Sequence, residues 1–124
     1  MSALFRRRAA GRSSALPAVT PDEAADLGKH AAVLVDVREP FEWDAGHAPQ
    51  ARHIPLGQLP RQLATLPSDR QIILVCRSGN RSAQATALLA NAGLEAANLT
   101  GGMAAWARAG LPVVTDTGAR GTVA

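Results

Sequence analysis

The sequence predicts an α/β domain of three layers, with a mostly parallel central sheet and helices on both faces. Three observations carry this. Short apolar runs at residues 33–37, 72–75 and 96–99 read as buried strands. Stretches of helical periodicity alternate with them, the pattern expected of parallel strands joined by crossover helices. A chain of 124 residues with no internal repeat suits one compact domain with a modest core.

The elements follow in order. Residues 17–19 suit a short edge strand. Thr20 is placed to cap a helix, with Pro21 at its first position and Glu23 three residues after the cap. That helix runs to Gly28 or His30. The strand at 33–37 carries a polar residue, Asp36, near its end. Residues 41–45 make a helical turn closed by Gly46, and 52–54 a short strand before Pro55. Leu59, Leu63 and Leu66 have helical spacing, which predicts a helix over 57–66. After the strand at 72–75, Ala85, Leu88, Leu89 and Ala92 share one helical face over 83–92, with Gly93 as the stop. Gly101 and Gly102 form a turn into a last helix over 103–109, closed by Gly110 and Pro112.

The formal charge of +3 is unevenly distributed. Arg6, Arg7, Arg8 and Arg12 precede residue 13 with no acid among them, whereas Ser13 onward holds nine basic and ten acidic residues. The expected organisation is a disordered basic arm over 1–15, a folded domain over 16–114 and a flexible tail over 115–124. The arm also has the Arg, Ser and Ala content of a transit peptide, and contact with anionic lipid or nucleic acid has the least support. A near-neutral domain gives no case for nucleic-acid binding. No apolar run approaches the roughly 20 residues of a membrane span. A single cysteine excludes an internal disulfide framework, no zinc-ligand spacing occurs, and no metal or cofactor is expected. A reducing, cytoplasmic setting suits such a thiol.

That cysteine, Cys76, is the most informative residue. A lone cysteine is ordinarily an inert core residue. Here it ends an apolar strand and opens the polar loop Cys76-Arg77-Ser78-Gly79-Asn80-Arg81-Ser82 before a helix. Gly79 permits backbone angles that turn successive N–H groups inward as an anion nest, and Ser82 can cap the helix. Nest, helix N-terminus and two guanidinium groups all favour thiolate over thiol. Arg77 and Arg81 suit oxyanion recognition. In open α/β sheets, sites lie beyond the carboxyl ends of strands, where Cys76, Asp36 and Arg38 all fall. Asp36 and Arg38 read as a mutually paired support, because buried charges are normally paired. His47 reads as a turn residue rather than a base, Trp43 and Trp106 as packing residues, and His30 and His53 carry no signal.

Four patches together resemble the rhodanese-like sulfurtransferases over residues 17–113. They are the 76–82 loop; residues 34–39, Leu-Val-Asp-Val-Arg-Glu; Glu42-Trp43 with Gly46-His47, Ala51 and Ile54-Pro55; and residues 99–102 with Trp106. The resemblance implies that Cys76 takes the outer sulfur of thiosulfate, or of a related persulfide donor, and releases sulfite. A thiol, cyanide or an acceptor protein then removes the sulfur from the Cys76 persulfide. Arg77, Ser78, Gly79, Asn80 and Arg81 would form the substrate cradle, with Asp36, Arg38 and Ser82 supporting it. Arg81 suits either the oxyanion or a structural brace. Many relatives have Gly where this chain has Gln50; a positive φ there would cost on the order of 1 kcal/mol.

Two rival readings stand beside this one. A Cys-dependent phosphatase or arsenate reductase of similar fold would use a loop one residue longer than the four residues between Cys76 and Arg81, and often has His where this chain has Val75. A persulfide relay or binding module would keep the cysteine but act on a partner protein.

Overall fold

The structure, a computed structural model, describes residues 16–124. Among the described residues, five strands form one sheet in the order β1-β5-β4-β2-β3, and every neighbouring pair is parallel. The strands are β1 (Ala18–Val19), β2 (Ala32–Asp36), β3 (Arg52–His53), β4 (Gln71–Val75) and β5 (Ala96–Leu99). The helices are α1 (Pro21–His30), α2 (Pro40–Ala45), α3 (Leu59–Gln62), α4 (Asn80–Asn91) and α5 (Gly102–Arg108). Among the described residues, no helix is long and apolar enough to cross a membrane. The predicted basic arm over 1–15 lies outside the described residues.

Strand alternation divides the core into two layers. Val33, Val35, Ile72, Leu74 and Cys76 face one side, packed with Leu59 and with Ala85 and Leu89 of α4. Ala32, Leu34, Ile73 and Val75 face the other, packed with Ala24 of α1 and Met103 and Trp106 of α5. This is the predicted three-layer arrangement. Thr20 and Glu23 make the reciprocal capping box read from the sequence.

Two expectations change. The helix expected over 57–66 is three short pieces: a 3₁₀ turn at Leu56–Gln58, α3, and a second 3₁₀ turn at Leu63–Thr65. Pro60 has no N–H to offer the Leu56 carbonyl, so one continuous α-helix cannot form through it. The segment 115–124, expected as a flexible tail, is bonded back onto the domain. Thr122 N–H donates to the Ala45 carbonyl (2.8 Å), and Gly121 N–H to Val113 (2.8 Å). His47 and Val114 exchange both backbone bonds at 2.9 Å. Close approach makes this possible: a Cβ on Gly46 would lie 2.5 Å from the Thr122 oxygen. Two glycines, Gly46 and Gly121, let the backbones pass.

Candidate active site

β4 delivers Cys76 to the carboxyl edge of the sheet, on the α4 side. The loop that follows is held from the opposite side by α5. Met103 N–H donates to the Cys76 carbonyl (2.8 Å) and Ala104 N–H to the Arg77 carbonyl (3.0 Å). In a trans peptide the N–H points away from the carbonyl. Fixing those two oxygens on α5 therefore turns the N–H groups of Arg77 and Ser78 the other way. Gly102 permits the contact: its φ is +62°, and a Cβ there would lie 2.5 Å from the Arg77 carbonyl oxygen. The Gly101-Gly102 pair thus does more than turn the chain; it lets a helix start against the cysteine loop.

The sulfur sits in the resulting cradle. Gly79, at φ +114°, donates its N–H to Cys76 Sγ at 3.0 Å. Ser82 Oγ lies 3.2 Å from the same sulfur. Ser82 does not cap the helix as expected. α4 begins three residues earlier than expected, at Asn80 after Gly79, so Ser82 lies within the first turn and points at the sulfur. Burial pushes the thiol up, but hydrogen bonds from the Ser82 side chain and from the backbones of Ser82, Gly79 and Ser78 outweigh it, and the net value is lowered. Hydrogen bonds, rather than the two guanidinium groups, lead this lowering. Cys76 is only 1 % exposed and belongs to the packed core, so the sulfur lies on the floor of the cradle.

The two arginines part company. Arg77 is exposed at the rim, and its Nε donates to the Ala124 carbonyl (2.9 Å). Arg81 turns to α2, where Nη1 and Nη2 donate to Glu42 Oε1 (2.7 Å) and Oε2 (2.9 Å). The Arg81 hydrogen bonds hold the Glu42 carboxyl down at about 2 against an ordinary 4.5, despite burial. Of the two roles open to Arg81, the contacts favour the brace. Ser78 and Asn80 are exposed at the rim. Asp36 and Arg38 are both fully buried and paired: Arg38 Nη2 donates to Asp36 Oδ2 (2.8 Å) and to the Gly46 carbonyl (2.7 Å). They tie the end of β2 to the end of α2, which presents Glu42.

The sequence of residues 20–109 matches the family model described as the rhodanese-like domain. The chain belongs to that family. It is 44% identical over 87 residues to a sulfurtransferase of Allochromatium vinosum, covering 69% of this chain and 81% of that protein. It is 34% identical over 89 residues to the thiosulfate sulfurtransferase GlpE of Stutzerimonas stutzeri, covering 71% and 82%. Among solved structures, a rhodanese-related protein from Thermoplasma volcanium superposes with a TM-score of 0.76 at 32% identity, covering 81% of this chain and 99% of that one.

Near the cysteine loop, the structure decides the roles of three further residues. His53, which carries no signal in the sequence, donates its Nε2–H to the Arg38 carbonyl (2.7 Å). It also stacks on Trp43, whose other neighbour is the His47 ring at 3.5 Å. His47 contacts the Trp43 carbonyl and Asp116, in keeping with a structural role. Gln50 carries no strain, because no described non-glycine residue has a positive φ. The turn closed by Ala51 N–H on the Ala48 carbonyl is therefore not type II, the form that needs glycine at this position. Among the described residues, no cluster of His, Cys, Asp and Glu could hold a metal.

Glu42, Asn98 and Gly102 join the site without a site role visible in the sequence. Glu42 and Gly102 lie in motifs that carried the family resemblance, so that signal was present. Asn98 offered only a polar residue in an otherwise apolar strand. It donates through Nδ2 to the Gly79 carbonyl (3.1 Å) and accepts from Ser82 Oγ at 2.6 Å.

Proposed function

We propose that the chain is a thiosulfate sulfurtransferase working through a Cys76 persulfide. The carrying observation is the donor cradle on Sγ: Gly79 N–H at 3.0 Å and Ser82 Oγ at 3.2 Å, at the start of α4. These donors favour the thiolate, the nucleophilic form. The thiolate attacks the outer sulfur of thiosulfate. A new Cys76 S–S bond forms, the sulfur–sulfonate bond breaks, and sulfite leaves with the bonding electrons. Sulfite is a stable anion, so this step needs no general acid. The negative charge then rests on the terminal sulfur, about 2 Å further out. That extension carries the reactive atom from the cradle floor toward solvent. A thiol, cyanide or an acceptor protein attacks it and regenerates the Cys76 thiolate.

Arg77, exposed at the rim, binds the sulfonate end of the donor. The backbone of Ser78, Gly79 and Asn80 surrounds the transferred sulfur, and Arg81 braces the loop through Glu42. A phosphatase reading has less support. The loop is one residue shorter than such enzymes use, and both terminal nitrogens of Arg81 are held by Glu42 rather than offered to a phosphoryl group. A reducing, cytoplasmic setting keeps the thiol available.

Intact mass spectrometry after thiosulfate treatment tests this reading. The expected gain is one sulfur atom, about 32 Da, removable by cyanide. No gain, or turnover of phosphate esters instead, overturns it.

A further inference from the structure

We propose that Asn98 is a positioning residue that sets where the Ser82 hydroxyl proton points, and so moderates how strongly the cradle holds a thiolate; its role in transfer rests on the function proposed above. Ser82 is fully buried, with its Oγ 3.2 Å from Cys76 Sγ and 2.6 Å from Asn98 Oδ1. A hydroxyl has one proton. When the sulfur is anionic, both neighbours are acceptors and only one can be served.

The amide of Asn98 is locked in this orientation. Its Nδ2 donates to the Gly79 carbonyl at 3.1 Å, so a flipped amide would set two oxygens against each other there. Its backbone is pinned as well: Asn98 N–H donates to the Pro17 carbonyl (2.9 Å). Oδ1 therefore faces Ser82 permanently.

Three states of the sulfur then use the hydroxyl differently. With a thiol, S–H can donate to Ser82 Oγ while the hydroxyl proton stays on Asn98. With a thiolate, the hydroxyl must leave Asn98 to serve the sulfur. With a persulfide, the charge has moved to the terminal sulfur and Sγ is a neutral bridging atom, a weak acceptor. The hydroxyl then returns to Asn98. Asn98 thus disfavours the thiolate relative to both other states. It draws the resting sulfur toward a higher thiol pKa and favours the loaded form.

Among the described residues, the groups facing the sulfur are few. The Ser78 and Gly79 backbones come from the loop, and Ser82 from α4. Arg81 of α4 and Glu42 of α2 are paired with each other, and Arg77 stands at the rim. Asn98 reaches the sulfur through Ser82, and its other side-chain contact is the Gly79 carbonyl. Removing its side chain leaves the Gly79 carbonyl with Ala83 N–H (3.0 Å), so the loop keeps its tether.

The test is the pH profile of Cys76 alkylation by iodoacetamide, clean because this is the only cysteine. Asn98→Ala should move the profile to lower pH by about half to one pH unit, a roughly three- to tenfold faster reaction on its acid side. Ser82→Ala should move it to higher pH. The double variant should match Ser82→Ala alone. Asn98→Leu, which keeps the side-chain volume, should behave as Asn98→Ala and serves if that variant folds poorly. A shift to higher pH in the Asn98 variants, or additive shifts in the double variant, overturns the proposal. Alkylation reads the thiol without sulfur transfer, so its outcome is separate from the mass gain that tests the proposed function.

Discussion

Arg81→Met removes the guanidinium that holds Glu42. Glu42 is 5 % exposed, and its carboxyl titrates at about 2 rather than 4.5, first because of the Arg81 hydrogen bonds. The gap between those values corresponds to about 3 kcal/mol favouring the ionised, folded pair. The Arg81 side chain is 33% exposed, and solvent screening reduces this to a working figure of about 2 kcal/mol. The folded value is the lower one, so this stability is complete above 4.5 and is lost as pH falls toward 2. Urea unfolding, followed by tryptophan fluorescence, measures it. At about pH 7 the variant should lose about 2 kcal/mol, and at about pH 3 the deficit should shrink to under half. Arg81→Lys, a point charge without the bidentate fork, should fall between. A deficit equal at both pH values refutes the ionic origin. Transfer assays add a second criterion. A brace predicts a lower kcat with every sulfur donor, whereas a selective rise in KM for thiosulfate would return Arg81 to the oxyanion.

Other outcomes follow from the same geometry. Cys76→Ser should abolish thiosulfate:cyanide transfer and the mass gain while leaving the unfolding midpoint unchanged; any retained turnover removes Cys76 as nucleophile. Arg77→Ala should raise KM for thiosulfate roughly tenfold, the scale of a lost charge-assisted hydrogen bond, and leave uncharged sulfur donors near their original KM. Equal effects on both donor classes would end its oxyanion role. Gly102→Ala should destabilise by at least about 2 kcal/mol, since it combines a left-handed backbone with a collision against the cysteine loop. Urea unfolding reads that loss, and wild-type stability would mean that α5 does not press on the loop.

Much of the chain was legible before its structure. Strand runs, the Thr20 capping box and the stop at Gly93 depend on neighbours in sequence, and these appear as expected. The helix over 57–66 was misread because leucine spacing outweighed Pro60. The tail over 115–124 was misread because its partners, Ala45 and His47, lie far back in the chain. Ser82 looked like a cap from its place before the apolar helical face. Helix α4 in fact starts from Gly79, which frees the hydroxyl for the sulfur.

The α/β class and the family follow from residue order alone, with Cys76 as the expected nucleophile. Those rest on local periodicity and on four short motifs, the cysteine loop among them, each written in nearby residues. Which donors reach the sulfur, and what each charge does, is fixed by contacts between segments far apart in the chain. Arg81 meets Glu42 across 39 residues and Ser82 meets Asn98 across 16. Such pairings depend on which strands lie side by side. In a parallel sheet that order places distant residues at one edge, where no local pattern records their meeting.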